Sequence, residues 1–384
     1  YQARDLAVVR SKYEKNNLIL SSATPSLETQ NNINNKKYHH VFLSKQYSGL
    51  PLPEIFLVDL SKNKLERNKW ISSLLKVQIE NCLENKEQAL IFLNRRGYSP
   101  LSLCVDCGYR HQCQQCSSWL VMHQQKKRLL CHQCGRIEEM SFDCPKCLAK
   151  GSIKFIGPGV ERIAEELNQK FSEKKIGVMS SDIINSPKKI KNLITKFSNK
   201  EIDIIVATQI MAKGYDFPNL SLVGIIDADA GLFGGDMRAI EKTYNMLQQV
   251  SGRAGRSQQV GKVIIQTYYP EQPIIQSLKK RDRSAFIKQA LIEREQFNIP
   301  PFGFMTSIII SGSSKANVLK ISQKLVFLSK HSEKIDVLGP VEAPINLLKG
   351  QFRYRILLKG KSRKNLNIFT KKMVSSVKIP AAVR

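Results

Sequence analysis

The sequence predicts an α/β protein: a parallel, doubly covered sheet, interrupted by a two-zinc cysteine-rich module and followed by a small α+β domain. Three observations carry that expectation. Short apolar runs alternate with helical patterns on both sides of residues 104–150, the signature of a parallel sheet with helices on its faces. Eight of the nine cysteines fall in four Cys-x-x-Cys pairs inside that interval. After about residue 270 the alternation gives way to a charged helical stretch and then to half-buried strands.

The elements follow in order. NLILSSATPS (17–26) is expected as a buried strand ending in a polar turn. IFLVDL (55–60) and ALIFLN (89–94) are further strands, with helical spacing over 70–83 between them. Beyond the cysteines, KKIGVMS, DIIVATQ and LVGIIDAD read as strands, with helices after Pro158 and Pro187. A charged helix over 271–296 leads to NIPPFGF, whose prolines and Gly303 mark a boundary. MTSIIISG and FRYRILLKG then read as strands, with helices near 315–330 and 363–375. The chain opens on Tyr1 and stops at AAVR without a closing element, so it reads as a piece of a longer protein.

Composition narrows the function classes. At 384 residues and 42% hydrophobic, there is enough apolar surface for two or three domains, and wholesale disorder is excluded. No run of about 18 apolar residues is present, so no membrane span and no membrane partner are expected. No secretory leader is recognisable, and a cytoplasmic protein is expected. The formal net charge is +28, which favours a polyanion such as nucleic acid. Residues 301–384 hold twelve Lys and four Arg against Glu333, Asp336 and Glu342. Arg353, Arg355, Lys359, Lys361, Arg363 and Lys364 lie close together there. On a strand, 353, 355 and 359 share one face, while Phe352 and Tyr354 turn to the core. With acids so scarce, these charges are expected to be unpaired and to meet phosphates.

The cysteine pairs are Cys104/Cys107, Cys113/Cys116, Cys131/Cys134 and Cys144/Cys147. Two intervening residues let one tight turn aim both thiolates at a single ion, and two such turns complete a tetrahedral site. Eight ligands imply two Zn²⁺ ions. Disulfides are disfavoured without a secretory leader, and a redox Cys-x-x-Cys would occur once rather than four times. Two pairings are open. A nested one joins Cys104, Cys107, Cys144 and Cys147, leaving the inner four for the second ion. A sequential one splits the block near residue 120. The nested pairing is the one expected. Cys82 is expected as a core residue. His111, His123 and His132 are spare candidates at the surface.

Three other segments bear on chemistry. SATPS (22–26) offers small hydroxyls at a strand end. ATQIMAKGYDFPNL (207–220) puts Thr208 and Gln209 at a strand end and Gly214, Asp216 and Pro218 in a turn. QQVSGRAGR (248–256) places Arg253 and Arg256 three apart on one helical face, with glycines that let a phosphate approach the backbone. Paired guanidinium forks suit γ-phosphate binding and transition-state charge.

In this order the three segments resemble motifs III, V and VI of superfamily 2 helicases. The wider set is closer still. SATPSLET, ALIFLNRRGYSP, the four Cys-x-x-Cys pairs directly after it, AKGYDFPN, QQVSGRAGR, PPFG and VLGPVEAPINLLKGQFRYRILLK resemble the PriA family of primosomal replication-restart helicases. The likeness runs over essentially the whole chain. It implies a RecA-like second helicase lobe, divided as follows: the end of lobe 1 over 1–48, lobe 2 over 49–103 and 151–270, the zinc insertion over 104–150, a linker helix over 271–300, and a basic DNA-binding domain over 301–384.

It further implies an ATP-dependent 3′→5′ DNA helicase that recognises branched forks and starts primosome assembly. DNA, primosome proteins and single-stranded-DNA-binding protein would be its partners, in the bacterial nucleoid. Arg253, Arg256 and Gln249 would serve catalysis, and Gly214 and Asp216, with the same arginines, would contact nucleotide. Tyr215 stands where motif V commonly has His. No GxxxxGK[ST] loop and no DEAH-type box occurs in the sequence. The main ATP and Mg²⁺ motifs would lie upstream, and this chain alone would not hydrolyse ATP. The rival expectation is a zinc-binding DNA adaptor that has lost its motor.

Overall fold

A computed structural model of the chain describes residues 2–43, 51–66, 69–93, 101–104, 109, 120–123, 128–130, 137–156, 159–179, 186–208, 217–229, 238–255, 260–329, 334–380 and 382–384. The contacts divide the chain into Tyr1–Val41 and Phe42–Arg384.

The first unit holds two helices, α1 (Ala3–Glu14) and α2 (Leu27–Asn34). Ser26 caps α2 by accepting from the Thr29 amide, and Arg4 donates to the same hydroxyl. Residues 17–26 form no strand, which corrects the sequence expectation, and Ile19 is 91% exposed. An apolar run becomes a strand only where neighbouring backbones accept and donate its hydrogen bonds. Among the described residues this unit contains no strand to pair with.

The second unit opens with β1 (Glu54–Asp59), α3 (Ser73–Glu84) and β2 (Gln88–Phe92). A block of short strands follows: β3 (Leu101–Cys104), β4 (Val121–His123), β5 (Arg128–Leu130), β6 (Ile137–Glu139) and β7 (Ile153–Ile156). The alternation then resumes with α4 (Val160–Lys170), β8 (Ile176–Met179), α5 (Pro187–Ser198), β9 (Ile204–Ala207), β10 (Leu220–Ile225), α6 (Ala239–Ser251) and β11 (Lys262–Thr267).

Strands of the main sheet run in the order β1-β11-β10-β2-β9-β8, and all its pairs are parallel. Every residue of β2, β9 and β10 is buried, as expected of strands covered on both sides. On one face, Leu75, Ile79, Ile163 and Leu167 of α3 and α4 pack against Ile91, Ile204 and Val206. On the other, Phe197, Tyr244 and Leu247 of α5 and α6 pack against Leu90, Ile205 and Val223.

Residues 271–300 form two helices, α7 (Pro273–Lys280) and α8 (Arg283–Gln296), separated by Arg281 at φ 56°. Ile274, Ile275 and Leu278 of α7 and Phe286 of α8 join the same core as α6. This stretch is therefore packed on the sheet rather than spanning between bodies.

The last part comprises β12 (Phe304–Gly312), α9 (Lys315–Leu328), β13 (Ile335–Leu348), β14 (Gln351–Gly360) and α10 (Arg363–Ser375). Its sheet is antiparallel, in the order β12-β14-β13. Val318, Leu325, Leu366 and Met373 of the helices pack on Tyr354, Ile356 and Leu358. Val383 bridges Gly312, and Ser311 and Arg384 exchange backbone hydrogen bonds of 2.7 and 2.8 Å. β13 goes unannounced in the sequence because Gly339, Pro340 and Pro344 read as turn residues. The ladder shifts register between Leu338 and Val341 and again between Glu342 and Leu347, and those irregular positions accommodate the prolines.

Candidate functional site

The lobe's arginine loop is built by α6 and its exit. The helix runs to Ser251, leaving Gln249 exposed, and Gly252 caps it through the Gln248 carbonyl. Arg253 follows in the turn and is only 8% exposed. The turn is clamped to the sheet: the Gly255 amide donates to the Leu220 carbonyl at 2.9 Å. Gly255 has φ 74°, which favours glycine. Gly261, just before β11, lies against the same turn, and a Cβ there would come within 2.4 Å of the Gly255 nitrogen. Two glycines therefore let the loop seat directly on backbone. Arg256, Gln209, Gly214, Asp216 and Tyr215 lie outside the described residues. Thr208 is buried at the end of β9, its amide bonded to the Met179 carbonyl.

Behind the loop, α6 is fastened to α7 and α8. Arg294 donates to Glu241 at 2.8 Å, with both side chains buried, and reaches the Pro300 carbonyl at 3.0 Å. Tyr244 stacks on Phe286 with ring centroids 3.9 Å apart and planes 7° from parallel. Sequence reasoning missed this fastening. The signal was present, since Ile287, Leu291 and Arg294 fall at i, i+4 and i+7 on one stripe of α8.

A second unanticipated feature lies at the carboxyl ends of β10 and β11, the edge where parallel sheets bind ligands. Thr267 donates its hydroxyl to Asp229, and the Tyr268 amide donates to the other carboxylate oxygen at 2.7 Å. Burial raises the Asp229 pKa against those two hydrogen bonds, and Asp227 adds to the rise.

In the cysteine block, strand order is β6-β5-β4-β3-β7, all antiparallel. β3 and β7 are its entry and exit, and Cys104 pairs with Ile153 across them. On the other side the Ile153 amide donates to Phe142 at 2.9 Å. Between Phe142 and Ile153 runs the Cys144/Cys147 turn. The Leu148 amide returns to the Cys144 carbonyl at 2.9 Å, and the Lys146 amide donates to Cys144 Sγ at 3.4 Å. Cys144 is buried and Cys147 exposed.

An amide aimed at the first sulfur of a tight Cys-x-x-Cys turn suits a thiolate metal ligand, because it stabilises the charge and fixes the sulfur. The fold thus brings Cys104 and the Cys144/Cys147 turn to the same end of one sheet. Cys107, Cys113, Cys116, Cys131 and Cys134 lie outside the described residues, as do His111 and His132. His123 ends β4, opposite Arg128. Cys82 is buried in α3, where burial pushes its thiol up to about 11.

In the C-terminal sheet, Arg353 and Arg355 are half-buried on the face opposite the helices, and Tyr354 is buried beneath those helices. Phe352 is half-buried. The expectation of unpaired charge needs correction. Lys359 pairs with Asp336 at 3.0 Å, and Lys315 pairs with Glu342 at 2.7 Å. Few acids sufficed, because strand pairing set Asp336 directly opposite Lys359.

Three family models match the chain: the helicase conserved C-terminal domain over residues 150–258, the PriA DNA helicase Cys-rich region over 113–138, and the primosomal protein N C-terminal domain over 295–383. Replication restart protein PriA of Rickettsia conorii is 45% identical over 99% of this chain. The protein of the same name from Bacillus subtilis is 34% identical over 98%. The chain spans 59% of the first relative's length and 47% of the second's. Among solved structures, yeast Dbp5 bound to RNA and ADP BeF3 aligns with 76% of this chain and 60% of its own at 13% identity, with a TM-score of 0.36.

Proposed function

From the premise that this chain belongs with the PriA replication restart proteins over the stretch it shares with them, we propose that it serves an ATP-dependent 3′→5′ DNA helicase that recognises branched DNA and restarts stalled forks by starting primosome assembly. One observation carries this reading. The cysteine block is inserted between β2 and α4 of the same parallel lobe whose α6 ends in the clamped Gly-Arg-Ala-Gly turn over 252–255.

In this reading Arg253 and Arg256 meet the nucleotide's γ-phosphate, and Gln249, Gly214 and Asp216 link that contact to DNA movement. Bound ATP and Mg²⁺ would supply the phosphoryl chemistry, and the sequence of this chain holds no GxxxxGK[ST] loop or DEAH-type box of its own for them. The chain's own contribution is charge held in place. A guanidinium fixed by a clamped turn needs no reorganisation when negative charge develops on phosphate.

Cys104, Cys107, Cys144 and Cys147 hold one Zn²⁺ in this proposal, and Cys113, Cys116, Cys131 and Cys134 hold the other. The β3–β7 pairing supports the nested set. Arg353 and Arg355 contact DNA phosphates from the open face of the C-terminal sheet. Primosome proteins and single-stranded-DNA-binding protein are the partners, in the bacterial cytoplasm at the nucleoid.

The test joins this chain to a lobe carrying a phosphate-binding loop and measures DNA-stimulated ATP turnover. Arg253→Ala should lower turnover by about 10³-fold, the scale of a lost arginine finger, with zinc content unchanged. Turnover at the parental rate would remove Arg253 from the ATP site.

A further inference from the structure

The three helices flanking the sheet beside its β2-β9-β8 edge differ in charge. α3 carries Lys76 against Glu80 and Glu84. α4 carries Arg162 and Lys170 against Glu161, Glu165 and Glu166. α5 carries Lys188, Lys189, Lys191 and Lys196 and no acid at all. A compositional drift toward lysine would have loaded all three alike.

Helix geometry sorts α5 into two faces. Phe197 is buried in the sheet's core, and Leu193 and Ile194 pack against that core. The four lysines are exposed, together with Asn192, Thr195 and, just past the helix, Lys200. None of these five lysines makes an ion pair with a described residue. Among the described residues the acids near the helix in sequence are Glu173, Glu201 and Asp203, and Asp203 is occupied by the Lys175 amide at 2.8 Å. β8, which α5 overlies, is the last strand of the sheet, so no further strand or helix of this lobe follows on that side among the described residues.

We propose that the lysine face of α5 is a docking surface for the phosphate backbone of duplex DNA, separate from the arginine loop and from the C-terminal sheet. It rests on the DNA-helicase reading above and adds a second duplex contact on the lobe itself.

The chemistry selects this occupant. Twelve helical residues extend about 18 Å, and duplex DNA presents a negative charge about every 1.7 Å of axis. Four ammonium groups on that length match a backbone without reading sequence. The exposed face carries no aromatic side chain on which unpaired bases could stack, which disfavours a single strand. It also exposes no large apolar side chain between the lysines, which disfavours insertion into a lipid surface.

The experiment measures affinity of the 384-residue chain for a short duplex as KCl is raised. Replacing Lys188, Lys189, Lys191 and Lys196 together by Gln should flatten the log–log slope by roughly 3–4 units, near 0.9 for each phosphate left without its ammonium partner. Lys188→Gln with Lys191→Gln should flatten it by about two, and serves if the fourfold variant folds poorly. A slope unchanged in both variants overturns the proposal. So does a loss confined to binding of phosphatidylglycerol vesicles. Arg353→Ala with Arg355→Ala is the companion: if that pair alone changes the slope, the helicase reading stands and α5 is excluded. If the wild-type chain does not bind the duplex at all, both fall.

Discussion

The cysteine block and the parallel lobe that surrounds it are held by different physics. In the lobe, β2, β9 and β10 are buried along their whole lengths, and two apolar clusters cover the sheet's faces. A fully buried Leu or Ile contributes about 1.5–3 kcal/mol, so the lobe needs nothing beyond its own side chains. In the block, β4, β5 and β6 have three residues each. Its buried apolar side chains among the described residues are Leu120, Leu129, Cys144 and Ile153. In the reading proposed above, zinc thiolates would supply the stability that strands this short do not. Hydrophobic pattern therefore specifies one region, and cysteine spacing the other.

The largest effect should come from removing metal. Strong chelation, or Cys144→Ser, should unfold the block, since structural zinc is worth on the order of 10 kcal/mol in zinc-finger peptides. Hydrogen exchange would then show β3 to β7 deprotected and β2 and β9 unchanged. Equal deprotection of both regions would erase the distinction.

The converse change attacks the lobe alone. Arg294→Met leaves Glu241 buried without its cation, at a cost of about 3–5 kcal/mol. The thermal midpoint of the lobe should fall while metal analysis still finds the wild-type zinc content. Replacing both partners, Arg294→Met with Glu241→Leu, should restore most of the loss. A smaller loss is expected from Gly261→Ala, about 1–3 kcal/mol for an overpacked contact, because the new methyl meets backbone rather than a side chain. Chemical denaturation would measure it, and an unchanged midpoint would mean that the arginine loop is not clamped there.

Acid gives the subtlest contrast, because the two regions should respond with opposite sign. Metal thiolates must stay deprotonated, so zinc is released and the block loosens as pH falls. Asp229 in the lobe has a raised pKa. A carboxyl of that kind adds stability fully below its unfolded pKa and loses it as pH rises through the folded one. Denaturation of the metal-free chain should therefore show a small gain toward acid that Asp229→Asn removes.

Much of this was legible in the sequence, but by two alphabets. Apolar runs announced β2, β9 and β10 because a doubly covered strand has no polar side to interrupt it, and they announced the partly covered edge strands β1 and β8 as well. The same signal at 17–26 misled, since burial of Leu18, Ile19 and Leu20 depends on neighbours that a run cannot specify. β13 was hidden by prolines that irregular pairing tolerates. The stretch 271–296 was expected only as a charged helix, and the place of Arg294 on the apolar stripe of α8 went unread. The partner of Lys359 depended on the strand register and that of Lys315 on how α9 packs beside β13, and composition holds neither.

The entry and exit of the cysteine block are hydrogen-bonded to each other, Cys104 beside Ile153. An insertion whose two ends already touch asks little of its host: the closure cost grows only slowly with loop length, about 0.6 kcal/mol per doubling. β2 and α4 are then joined as if by a short connection, whatever lies beyond the neck. Such a module can be lengthened, exchanged or cut out and replaced by a turn without shifting the register of the parallel sheet. The two parts can accordingly diverge at different rates and be transplanted independently, which makes the neck the natural place to splice when chimaeras of this lobe are built.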